Sequence, residues 1–215
     1  MRRMFWALGI LAGLGVAAMA GFVILQRLAE TPDYALVHAE GAFEIRDYPA
    51  LSVAEIRRDG DRREALRTGF GPLAGYIFAR DRDGERIAMT APVLQEPVGD
   101  AWAVRFIMPA ALDRDALPEP QQADLHLGRL PPMRLAAVRF SGRPTDARLA
   151  EREQALRDWL EGRALAPAGP AHFAYYSDPM TPGFLQRTEV LIPLVAPGRV
   201  TAGEPEAATR PGAAE

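Results

Sequence analysis

The chain has 215 residues, a formal net charge of −3, 48% hydrophobic residues and no cysteine. That length and apolar content suffice for one sizeable domain plus appendages. The mild acidity gives no electrostatic reason to expect a nucleic-acid partner, and the missing thiol excludes a disulfide framework, a thiolate nucleophile and a thiolate haem ligand.

Arg2 and Arg3 precede an uncharged run at 4–25. About 22 residues at ~1.5 Å rise span roughly 33 Å, close to the hydrocarbon thickness of a bilayer. Two readings stand. Ala18-Met19-Ala20 looks like a signal-peptidase site behind a basic start, whereas the apolar run continues through Phe22, Val23, Ile24 and Leu25, which favours an uncleaved single-pass anchor. Both place the rest of the chain outside the cytoplasm, in the periplasm if the source is bacterial. The basic pair Arg2 and Arg3 against Arg27 agrees with that orientation.

A linker with Pro32 follows at 26–33. FEIRDY at 43–48 and LSVAEIR at 51–57 read as strand pieces broken at Pro49. Asp61 caps a first helix, with Glu64 at the capping-box position. Leu66, Phe70, Leu73 and Ile77 fall at i, i+4, i+7 and i+11 and predict its inward face. Gly69, Gly71 and Pro72 weaken that helix. A proline in a helix interior costs about 3 kcal/mol, so a kink is expected. Asp83-Gly84 predicts a hairpin turn, and residues 87–93 predict a strand stopping at Pro92, which lacks an amide donor. AWAVRFIMP at 101–109 is a further strand, and 113–122, rich in proline and acid, a loop. Residues 125–142 hold strand material around Pro131-Pro132. A second helix is predicted over 145–162, with Leu149, Leu156, Trp159 and Leu160 inward and Gly162 as its stop. Strands at 171–177 and 187–195 close the domain, and 196–215, poor in large apolar residues, is expected to be disordered.

An internal repeat runs through this order. PALSVAEIRRDG at 49–60 aligns with PPMRLAAVRFSG at 131–142 at an offset of 82, each ahead of a helix. FIMP at 106–109 aligns with VLIP at 190–193 at an offset of 84. Near-constant spacing predicts a duplicated β-α-β-β unit. Two such units packed together give an antiparallel α+β domain with two helices outside.

FEIRDYP at 43–49, GFGPLAGYIFARD at 69–81, RIAMTAPV at 86–93, RFIMPA to LPEP at 105–120, AVRFSG at 137–142 and YYSDPMTPGFLQRTEVLIPLV at 175–195 together resemble the SOUL haem-binding protein family, over about 34–195. The resemblance implies a distorted antiparallel β-barrel of duplicated units flanked by two helices. It also implies haem or a related tetrapyrrole held non-covalently in an open apolar site beside the first helix. Some members carry a histidine, proposed as iron ligand, in the segment corresponding to FEIRDYP; Asp47 stands there here. Of the basic positions that meet the propionates, one matches Arg67, while two others fall at Gly75 and Thr181.

On the first helix, Arg67, Gly71, Ala74 and Phe78 form a stripe beside the inward face, with Phe70 between the two. In one reading, Gly71 and Ala74 leave a shallow trough, Arg67 meets a carboxylate at one end and Phe78 supplies a flat wall. In the other, the small residues let a strand pack close and Arg67 is a solvated charge. Most affinity for a planar ligand would come from apolar burial at about 25 cal/mol per Å².

Other chemistry is thin. His38, His126 and His172 do not pair at metal-ligand spacing, so no zinc site is predicted, although His38 is a candidate axial ligand. Met89, Met108, Met133 and Met180 read as core filler. Asp81-Arg82-Asp83-Gly84 lacks the glutamate of a calcium loop, no serine lies in a nucleophile elbow, and Glu151 and Glu153 face different sides of a helix. The sequence therefore predicts a membrane-anchored or exported tetrapyrrole-binding protein, not an enzyme. The competing expectation is a membrane-tethered interaction module with the same barrel and no haem.

Overall fold

The computed structural model describes residues 29–178 and 181–195. The expected membrane segment at 4–25, Met180 and the expected tail at 196–215 lie outside these residues. Among the described residues, no helix is long and apolar enough to cross a membrane. In chain order the elements are β1 (Ala35–Glu40), β2 (Phe43–Tyr48), β3 (Leu51–Arg58), α1 (Arg62–Ile77), β4 (Val93–Val98), β5 (Ala101–Ile107), β6 (Leu125–Leu130), β7 (Met133–Ser141), α2 (Asp146–Glu161), β8 (His172–Tyr175) and β9 (Arg187–Pro193). All the strand pairs are antiparallel, in one sheet of order β1-β2-β7-β9-β8-β4-β5-β3-β6. It curls into a half-barrel with α1 against β3 and β5 and α2 against β7 and β9.

The duplication is visible in that order. Exchanging β2 with β6, β3 with β7, β4 with β8 and β5 with β9 reverses the eight-strand order from β2 to β6 and leaves it otherwise unchanged. The repeated unit is therefore β-β-α-β-β, one strand longer than the expected β-α-β-β. Its first strand is exchanged: β2 pairs with β7 of the second unit, and β6 with β3 of the first. The pairs from Phe43↔Val138 to Tyr48↔Met133 and from Leu51↔Leu130 to Ile56↔Leu125 keep one register, since the two residue numbers always have the same sum. One long two-stranded ribbon thus joins the halves and is interrupted only at residues 49–50 and 131–132. Pro49, Pro131 and Pro132 stand at that break and have no amide to donate, so the ladder opens there.

Side chains alternate across the sheet. Ile45, Ala136, Val138, Val190 and Ile192 pack under α2 with Leu149, Leu156, Trp159 and Leu160, the four helix residues expected to face inward. Ala54, Ile56, Val104 and Phe106 pack under α1. The alternate residues Tyr48, Val53, Leu94, Ile107, Leu135, Ala137, Ala174 and Leu191 fill the inside of the half-barrel with their own side chains.

Three expectations are corrected. The strand over 87–93 is absent; β4 begins at Val93, after a cis Ala91–Pro92 bond. The backbone before it is engaged elsewhere, with Ile87 N donating to Ile77 O and Ala91 N to Glu30 O. Asp83-Gly84 turns a loop after α1 and not a hairpin. Arg82 is buried there and donates to the carbonyls of Tyr76, Asp83 and Glu85, which fixes the loop. The inward face of α1 is rotated from the expected one. Arg62, Ala65, Gly69, Leu73 and Tyr76 are buried with Ala74 and Ile77, while Leu66 and Phe70 flank them half-buried.

Candidate functional site

Helix α1 begins where Asp61 accepts from the amides of Arg63 and Glu64, and it runs through Pro72 to Ile77. Its close approach to the sheet depends on Gly69, where a Cβ would stand 3.0 Å from Val104 and 3.2 Å from Ile56. Two residues on, about 200° round the helix and so on its opposite side, Gly71 is exposed and a Cβ there would meet nothing within 4 Å.

The five predicted site residues divide between core and surface. Ala74 is buried in the core under α1. Phe70 and Phe78 are half-buried against the same core; Phe70 meets Phe106 edge-on at 5.2 Å, and the Arg80 guanidinium lies 5.5 Å from the Phe78 ring centroid. Gly71 and Arg67 face solvent. Arg67 closes on Glu64 with a two-pronged hydrogen bond at 2.6 and 3.0 Å, which raises its pKa and lowers that of Glu64. The face therefore presents two half-buried rings with open space at Gly71 and a guanidinium held by a neighbouring carboxylate.

The residues at the family's other ligand positions have structural partners. Asp47 receives two hydrogen bonds from Arg134, both 2.7 Å, which hold its carboxyl below the usual range. Gly75 is buried with the Asp81 carboxylate where a Cβ would go, so a basic side chain there would displace Asp81. Thr181 is buried. His38 stacks on Trp159 beside α2, His126 is an exposed cross-strand partner of Glu55, and His172 meets Glu96 at 2.9 Å. Among the described residues no group of His, Asp and Glu is arranged to hold a metal ion.

A network near the helix starts, buried except at the exposed Asp146, lies outside the predicted site. Arg62, the first residue of α1, donates to Asp146, the first residue of α2, at 2.7 Å and to the Tyr175 hydroxyl at 2.6 Å. Tyr175 donates to Gln95, whose amide donates back to Arg62 O at 2.6 Å. Burial pushes the Tyr175 hydroxyl up to about 12 against the opposing pull of Arg62. The signal was present in the repeat, because residues 62 and 146 are separated by the same 84 as the FIMP and VLIP segments.

A cleft of about 240 Å³ lies where the ribbon breaks. Its walls are residues 30–33, the break at 49–52, Thr90, the segment 107–113 and Arg129. Glu30 clasps two of these walls, accepting from Ala91 N through its carbonyl and from Ala110 N through its carboxylate at 2.7 Å. The Thr90 hydroxyl donates to Ile107 O. The segments IAMTAPV and RFIMPA thus meet in one wall.

A family model described as SOUL heme-binding protein matches residues 29–193. The chain belongs to the SOUL family. No curated protein matches it. Among solved structures, a hydrolase from Listeria innocua is similar at TM-score 0.51 and 14% identity, over 74% of this chain and 94% of that one. The C-terminal domain of EcmrR is similar at TM-score 0.54 and 13% identity, over 75% and 98%. At these identities the likeness shows the fold alone. SOUL membership agrees with the resemblance carried by IAMTAPV and GFGPLAGYI, and the family is one of binding proteins.

Proposed function

We propose that this SOUL protein binds haem or a related tetrapyrrole non-covalently on the outer face of α1, held at a membrane by residues 4–25 with its domain outside the cytoplasm. The family match across 29–193 supports the haem-binding part of this reading, and the apolar run at 4–25 the membrane part. Three features of the α1 face support it. Gly71 leaves room for a flat ligand to lie against the helix, Phe70 and Phe78 offer ring surface, and Arg67 and Arg80 bring positive charge to the margin. The filled interior of the half-barrel and the small size of the cleft at the ribbon break support a position outside the sheet for a macrocycle. No described histidine lies on this face and Asp47 is engaged by Arg134, so apolar contact and carboxylate pairing would hold the ligand, with no protein group on the iron.

Titration of residues 29–195 with haemin tests this. A saturable Soret shift at about one haemin per chain is expected, against a linear, non-saturating response from an unrelated apolar protein. The second reading, a tethered interaction module without haem, is favoured by the engagement of Arg67 by Glu64 and the burial of Ala74. A linear response from this domain as well would select it.

A further inference from the structure

One pair of equivalent positions carries an ion pair in one half of the ribbon and none in the other. In the β2–β7 half, Asp47 and Arg134 are cross-strand partners joined by two hydrogen bonds of 2.7 Å. An offset of 82 maps Asp47 onto Arg129 and Arg134 onto Ser52, which are themselves cross-strand partners in the β3–β6 half. There the carboxylate is missing. Arg129 faces a short serine, lines the cleft, and has no side-chain hydrogen bond or ion pair among the described residues. Asp33 and Asp113 line the same cleft; like Arg129 they are exposed and without a side-chain partner among the described residues, and Asp113 precedes a short 3₁₀ turn but makes no side-chain cap. Leu51 and Leu112, both half-buried, add apolar lining.

We propose that this cleft binds a small zwitterion, its phosphate on Arg129 in the place that Asp47 takes on Arg134, and its ammonium between Asp33 and Asp113. A guanidinium takes phosphate through two parallel hydrogen bonds, as it takes a carboxylate. At about 240 Å³ the cleft is smaller than the roughly 300–1,000 Å³ of sites for larger ligands, and it suits a phosphoethanolamine-sized group. Such a group can be free or can be the head of a lipid. The lipid source rests on the membrane anchoring proposed above, because residues 30–33 form one wall and follow the apolar run closely.

The test uses the full-length chain in nanodiscs of phosphatidylglycerol, titrated with glycerophosphoethanolamine by calorimetry. Saturable binding is expected, with glycerophosphoglycerol, which lacks the amine, at least about tenfold weaker. Arg129→Ala should weaken binding about tenfold or more, since a hydrogen bond to a charged group is lost. Ser52→Asp should do the same while leaving the fold intact, because it sets a carboxylate across the strand from Arg129, the Asp47–Arg134 pair in reverse, and occupies the guanidinium. Asp33→Asn with Asp113→Asn should abolish the preference for the amine. In phosphatidylethanolamine nanodiscs, competition against the soluble probe identifies the lipid head as ligand, and unchanged binding identifies a soluble zwitterion. Absence of saturable binding, or Arg129→Ala and Ser52→Asp variants that bind as the parent does, would overturn the site. The haemin titration is unaffected by these variants, so the two proposals fail separately.

Discussion

Arg46 donates to the Glu189 carboxylate at 2.6 Å inside the half-barrel, with both side chains almost wholly out of water. Burial alone would lower the Arg46 pKa and raise that of Glu189, but their mutual attraction reverses both shifts. Glu189 also accepts from Tyr176 and Arg187, and Arg46 also meets Glu44 and Tyr48. The pair closes part of the space a ligand would need, and its loss should be costly. Arg46→Met is expected to destabilise the domain by about 3 kcal/mol, the low end for a broken buried pair because Arg187 still faces Glu189. Arg46→Met with Glu189→Leu should cost less than the sum of the two single changes. Urea unfolding at neutral pH measures this, and strict additivity would contradict a coupled pair.

On the same face, Glu96 accepts from His172 at 2.9 Å and from Arg105 at 2.6 Å. Burial would raise its pKa, but these partners bring it down to about 2. A carboxylate whose folded pKa is depressed adds stability that is fully present above its ordinary value near 4.5 and is lost as pH falls toward about 2. The contribution is up to about 3 kcal/mol. Glu96→Gln should therefore lower stability at neutral pH and flatten its acid dependence between those limits. An unchanged slope in urea midpoints from pH 5 to pH 2.5 would assign the acid sensitivity elsewhere.

Gly69 and Gly71 should respond in opposite directions. Both lie inside α1, where alanine is worth about 1 kcal/mol more than glycine. At Gly71 nothing opposes that gain, so Gly71→Ala should stabilise by about 0.5–1 kcal/mol. At Gly69 a larger residue presses on Val104 and Ile56, so Gly69→Val should destabilise by about 1–3 kcal/mol. Thermal melts of the two variants check the pair; a stabilised Gly69→Val would mean that α1 stands further from the sheet.

The same glycines explain why α2 was legible in the sequence and the face of α1 was not. Thr145 caps α2, Gly162 ends it, and Leu149, Leu156, Trp159 and Leu160 mark its buried stripe without interruption. In α1 the buried stripe passes through Gly69, Gly75 and Arg62, which carry no apolar signal, so periodicity settled on Leu66 and Phe70 at its border. Strand β4, VLQEPV, was hidden in the same way, because Gln95 is wholly buried yet polar, satisfied by Arg62 and Tyr175. The repeat announced the duplication, but not the exchange of first strands, which depends on pairing across some 80 residues. The cleft draws its walls from separate segments and left no local pattern at all.

Arg67 is the one predicted ligand contact whose present partner can be removed without touching the core. Glu64, three residues before it, holds the guanidinium from solvent-exposed ground and would compete with a haem propionate for it. Releasing Arg67 should therefore help binding, and reversing its charge should hinder it. Glu64→Gln is expected to tighten haemin binding a few-fold, and Arg67→Glu to weaken it by a similar factor, as for exposed charge pairs. Neither should shift the melting temperature appreciably, because both side chains face water. Soret titrations read the affinities, and salt up to about 0.5 M should shrink both effects through screening. If the two variants titrate alike, the guanidinium has no part in holding the ligand, and the apolar surface around Phe70, Gly71 and Phe78 must account for any affinity by itself.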